Sequence, residues 1–78
     1  MGRPPRTIQT VAQRLAKRLG AFLRKKRGNL TYAQFARKAG LSDSTLHRLE
    51  MGEQNVTLKT IEHLTQRLKC TVADLFED

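Results

Sequence analysis

Apolar residues recur along the chain at steps of three and four, and no segment alternates polar with apolar residues as a half-buried strand would. In the first such run, over residues 7–27, Ile8, Val11, Leu15, Leu19, Phe22 and Leu23 share one side of a helical wheel. Arg14, Lys17, Arg18, Arg24 and Lys25 lie largely elsewhere on it. Gly20 costs about 1 kcal/mol relative to alanine inside a helix, so its presence predicts a bend or a close helix contact. Gly28 and Asn29 then supply the chemistry of a helix stop.

Thr31 and Gln34 form the Thr-x-x-Gln pattern of a capping box, which predicts a short second helix over Tyr32–Ala39 with Phe35, Ala36 and Ala39 facing inward. Gly40 permits an immediate left-handed turn, and Leu41 plugs the corner. Ser42 caps a third helix that runs to about Met51, presents Leu46 and Leu49 inward, and is stopped by Gly52. After the connection Glu53-Gln54-Asn55-Val56, Thr57 caps a fourth helix with the stripe Leu58, Ile61, Leu64 and Leu68. Thr71 to Asp74 open a last short helix anchored by Leu75 and Phe76. The expected fold class is therefore all-α with five helices, forming one domain over residues 7–78. Residues 1–6 hold two prolines and nothing apolar beyond Met1, and read as a basic arm.

Composition sharpens this picture at three points. The single cysteine, Cys70, allows no disulfide and no zinc-finger spacing, so it reads as an inert, partly buried small hydrophobe in a reducing, cytoplasmic setting. No apolar run approaches the roughly 20 residues of a membrane span, and no secretory segment is visible. The formal charge of +8 is polarised: residues 1–42 carry 11 of the 15 Lys and Arg and no acid, while residues 43–78 carry the other 4 with all 7 acids. Such a basic half suits a polyanion, either nucleic acid or an anionic membrane surface. An enzyme is not indicated, because there is no nucleophile paired with a base, no close carboxylate pair and no phosphate-cradling glycine loop. No cofactor is expected, and no cluster of His and Cys suggests a metal.

Two short helices joined through a glycine turn form a helix-turn-helix unit, whose second helix enters the DNA major groove. The ordered residues Leu30-Thr31-x-x-x-Phe35-Ala36-x-x-Ala39-Gly40-Leu41-Ser42-x-Ser44-Thr45-Leu46-x-Arg48-Leu49-Glu50-x-Gly52 closely resemble the Cro/repressor (XRE-type) helix-turn-helix family of phage and bacterial regulators, over residues 22–76. The resemblance implies a five-helix, lambda-repressor-like domain, double-stranded DNA as partner, and binding as a homodimer. Carried over by position, Asp43, Ser44 and Arg48 would face base edges, with His47 on the same side of the helix. Arg48 can donate two bonds to guanine, Asp43 can accept from cytosine, and Ser44 can pair with several bases. Asp43 also suits the helix dipole, and His47 also fits a plain surface position.

Phosphates would be held by Thr31, Tyr32 and Ser42 at helix starts, by the loop at Asn55, and by Arg3 and Arg6 of the arm, which are placed to reach a minor groove. Tyr32 stands where the family usually has glutamine. The resemblance further implies a structural ion pair between Arg24 and Glu50, and a dimer interface at Leu68, Val72, Leu75 and Phe76, with closure of the monomer core as the alternative for those four. His63 reads as a packing or surface residue. The functions compatible with this reading are a repressor on a near-palindromic operator, a restriction-modification controller, and an antitoxin with a toxin partner. Outside the family stands a basic polyanion or membrane-surface binder.

Overall fold

The computed structural model describes residues 10–77, which form five helices: α1 (Val11–Arg27), α2 (Tyr32–Ala39), α3 (Asp43–Glu50), α4 (Leu58–Leu68) and α5 (Val72–Leu75). No strand occurs among the described residues. Every helix opens on a hydroxyl side chain, Thr10, Thr31, Ser42, Thr57 and Thr71, each accepting a bond from the amide three residues on. Such a cap satisfies a donor the helix cannot satisfy itself and contributes about 1 kcal/mol. At Thr10, Thr31 and Thr71 the box is reciprocal, through Gln13, Gln34 and Asp74. The bonds from Thr71 hold the Asp74 carboxyl below its ordinary range, so this contribution is complete at neutral pH and is lost as the pH falls through that lowered value.

The first helix starts at Val11 rather than near residue 7, because Thr10 has the extended backbone of a cap and Gln13 completes its box. Ile8 and the arm lie outside the described residues. Three positions expected in the stripes also differ. Val11 is 61% exposed, Leu15 36% and Leu58 86%, so all three lie outside the core.

The core is one cluster built from all five helices: Leu19, Leu23, Phe35, Ala36, Ala39, Leu46, Leu49, Ile61, Leu64, Leu68 and Leu75. Each large side chain buried there contributes about 1.5–3 kcal/mol. α3 packs on both α1 and α2, α2 also meets α4, and α5 closes the bundle against α1 and α4. Cys70 is half-buried against this cluster, and burial pushes its thiol up, consistent with an unreactive side chain.

Two glycines are required by geometry. Gly20 lies where α1 crosses the end of α3, and a Cβ there would stand 2.8 Å from the carbonyl oxygens of both Leu49 and Glu50. The expected close contact is therefore real, and the helix cost of Gly20 is offset by this approach. Gly40 has φ 71°, with the Leu41 amide donating to the Ala36 carbonyl at 2.8 Å and the Gly40 amide to that of Arg37 at 3.2 Å. This is a Schellman turn. α4 secures it from below: Arg67 donates to the carbonyls of Lys38 and Arg37 at 3.2 and 2.9 Å, and Nε2 of His63 donates to that of Gly40 at 3.1 Å. His63 is thus a clasp on the turn.

Gly20→Ala gains helix propensity but forces the helices apart, and overpacking of this kind costs about 1–3 kcal/mol. Urea unfolding of the variant should show a net loss of stability; an increase would contradict the close crossing.

Candidate nucleic-acid interface

α3 has two unlike sides. Leu46, Leu49 and Glu50 are buried, while Asp43, Ser44, His47 and Arg48 are all exposed and share the opposite side by helical spacing. The four expected base-reading residues therefore lie on one outward face. Ser42, the cap of this helix, is occupied: it accepts from the Thr45 amide at 3.1 Å and donates to the Thr45 hydroxyl at 2.8 Å. Asp43 is the acid of the first turn, where it complements the helix dipole whatever else it contacts.

Beneath this face sits a charged anchor. The Glu50 side chain is fully buried, and Arg27 donates to it twice, Nε to Oε2 at 2.9 Å and Nη2 to Oε1 at 3.1 Å. These bonds hold the Arg27 guanidinium above its ordinary range. Arg24, expected as the ionic partner, instead donates Nη1 to the backbone carbonyl of Glu50. The shift follows from the crossing at Gly20, which brings Arg24 against the last carbonyls of α3, while the carboxylate projects one turn of α1 further on. Arg27 also donates to the Leu30 carbonyl at 3.3 Å, so it fixes the α1–α2 connection as well.

Tyr32 has a different place from the one expected. Its hydroxyl donates to Glu50 Oε1 at 3.2 Å, the Arg27 guanidinium lies 4.4 Å from its ring centroid, and its ring meets that of His47 at 5.7 Å and 63°. A phosphate can only accept, so this hydroxyl would have to leave Glu50 to reach one. At the start of α2 the capping box with Gln34 takes up the Thr31 amide, while the Thr31 hydroxyl accepts from the Gln34 amide and keeps its own hydrogen to donate. The first-turn amides left to point outward are those of Tyr32 and Ala33, and Ala33 is a position that sequence reasoning did not single out.

Gly52 has φ 94°, which turns the chain after α3 and brings residues 53–55 beside Arg48. His47, Arg48, Glu53 and Asn55 line one open hollow there. The Asn55 amide donates to Glu53 Oε2 at 2.9 Å, leaving the exposed Asn55 side chain as the outward donor. Glu53 was not singled out from sequence, and nothing in a lone acid after a helix stop marks it. Arg3 and Arg6 lie outside the described residues.

Of the four expected interface residues, Leu68 and Leu75 are buried in the monomer core, 8% and 0% exposed, and are unavailable to a second chain. Val72 is exposed and Phe76 half-buried; both line an apolar hollow with Leu15 and Leu58. Among the described residues no three His, Cys, Asp or Glu side chains stand together as a metal site. No helix among them is long and apolar enough to cross a membrane.

A short helix, a Schellman turn and a second helix carrying an exposed polar face above a buried anchor define a helix-turn-helix DNA-binding domain. A family model, the Cro/C1-type HTH DNA-binding domain, matches residues 18–78, and the chain belongs to that family. No curated protein matches the chain.

The anchor predicts an asymmetry in stability. Arg27→Met strands a carboxylate in the core, whereas Glu50→Gln leaves a guanidinium that can turn to water. Glu50→Gln should cost about 1 kcal/mol and Arg27→Met clearly more, read from urea midpoints. The reverse order would contradict the burial of Glu50.

Proposed function

We propose that the protein is a sequence-specific regulator of transcription, acting as a repressor through a homodimer on a near-palindromic operator in double-stranded DNA. The observation that carries this reading is the outward face of α3, where Asp43, Ser44, His47 and Arg48 stand together on a helix braced from behind. Arg48 is the principal base reader, since a guanidinium can donate two parallel bonds to guanine. Ser44 and Asp43 read neighbouring bases. The outward amides of Tyr32 and Ala33, the side chain of Asn55 and the exposed cations of α1 and α2 hold phosphate and set the register. Contacts of that second kind supply affinity on any sequence and weaken with salt.

The second copy docks on the apolar hollow at Val72, Phe76, Leu15 and Leu58. Val72 and Leu58 are 54% and 86% exposed, large apolar side chains in water that a partner surface would cover. A polyanion or membrane-surface binder would use the basic residues of α1 and have no need of the α3 face. One substitution on that face separates the two readings.

Selection of duplexes from a random library, followed by binding titrations, tests the function. The wild type should enrich inverted half-sites about one helical turn apart. Arg48→Ala should relax preference at one base pair in each half-site by about 1–3 kcal/mol, while leaving the salt dependence nearly unchanged. Equal losses on every sequence would contradict base reading by Arg48. Val72→Glu should shift sedimentation toward the monomer without changing the thermal midpoint by more than a few degrees; an unchanged dimer would place the interface elsewhere.

A further inference from the structure

Tyr32 links the buried carboxylate of Glu50 to the exposed face of α3. Its hydroxyl is tied to Glu50 Oε1 at 3.2 Å, and Glu50 is itself fixed by two bonds from Arg27. The Arg27 guanidinium lies 4.4 Å from the ring centroid, a cation–π contact that fixes the ring as well as its tip. The ring so clamped meets the imidazole of His47, with centroids 5.7 Å apart and planes at 63°. An edge contact of this geometry is a favoured aromatic arrangement.

His47 is exposed, and an exposed imidazole on a helix samples several rotamers in water. Freezing such a side chain at the moment of binding lowers affinity by about 2- to 10-fold. A rotamer held in advance avoids that loss, and it also directs the ring nitrogens to one place. The family resemblance does not supply this arrangement, because it has glutamine at the position of Tyr32.

We propose that Tyr32 is a positioning residue for sequence reading: braced by Glu50 and Arg27, it holds the His47 imidazole against one base pair of each half-site. This rests on the function proposed above. It makes His47 a base reader rather than a passive surface residue, and it replaces a phosphate contact by Tyr32 with an internal one. Phosphate contact and positioning leave different marks on binding. Loss of a phosphate contact weakens all sequences alike, whereas loss of a positioning contact flattens preference at one base pair.

The test uses the full chain and the duplex enriched by the wild type, with every single-base variant of one half-site. His47→Ala should reduce discrimination at one base pair about 5- to 10-fold. Tyr32→Ala should flatten the same base pair by at least half that factor, and the double variant should be no worse there than His47→Ala alone. Tyr32→Phe keeps the ring and loses the tie to Glu50, so it should fall between wild type and Tyr32→Ala. A uniform loss on all duplexes with Tyr32→Ala, multiplying with that of His47→Ala, would overturn the proposal. So would a Tyr32→Phe profile identical to wild type. Far-UV circular dichroism checks folding; if Tyr32→Ala does not fold, Tyr32→Phe decides alone by the same criterion. Failure of the wild type to enrich any site would overturn the proposed function and this inference with it. An enriched site whose base preferences ignore Tyr32 and His47 would overturn this inference only.

Discussion

The carboxylate of Glu50 is the point on which the placement of the exposed face of α3 depends. It is fully buried at the end of α3, and it is held by Arg27 from α1 and by Tyr32 from α2. A buried charge is costly unless its lone pairs are satisfied, so all three elements are committed to one relative placement. The crossing at Gly20 adds a steric condition at the same point, since the last carbonyls of α3 approach α1 too closely for any side chain. Arg24 covers one of those carbonyls. The direction in which α3 presents its outer face is therefore set by groups on its inner face, as the proposed function requires.

The other end of the unit is secured by different means. α2 ends in a left-handed glycine whose surrounding carbonyls receive bonds from His63 and Arg67 of α4. A turn left to water alone would be free to fray; here α4 supplies the donors that the end of α2 lacks. Charge follows the same division of labour. Cations concentrate in residues 1–42, through α1 and α2, and the acids fall in residues 43–78. A protein polarised this way would be drawn toward a phosphate backbone in a preferred orientation, with the exposed face of α3 then testing the bases.

Much of this was legible in the sequence, for identifiable reasons. Helix starts are marked by local chemistry, a hydroxyl that at Thr10, Thr31 and Thr71 is followed three residues later by Gln or Asp, and Gly40 marks the turn through a backbone conformation that other residues adopt at a cost. The box Thr10-x-x-Gln13 was as readable as the one at Thr31, but the apolar Ile8 drew the expected helix start beyond it. Side chains whose partners lie far along the chain were less legible. A helical wheel cannot tell which turn of α1 meets the end of α3, so the carboxylate's partner was expected at Arg24 and lies at Arg27. Leu58 fits the apolar stripe of α4 yet projects into solvent, because it is the first residue of the helix and nothing packs over it in the monomer. Leu68 and Leu75 were indistinguishable from Val72 and Phe76 by pattern, and only packing separates core from exposed groove. Lys69 takes a left-handed conformation at the end of α4, φ 54°, with no glycine to announce it.

On the proposed function, DNA is met by α3, the start of α2 and the loop after Gly52. Amide chemical shifts followed by NMR while the protein is titrated with an enriched duplex at near-physiological salt would test it most directly. The largest changes are expected at Tyr32, Ala33, Asp43, Ser44, His47, Arg48 and Asn55, with the core and the Val72 hollow little altered once the dimer is formed. Changes concentrated on the outer face of α1, with α3 unmoved, would contradict this expectation.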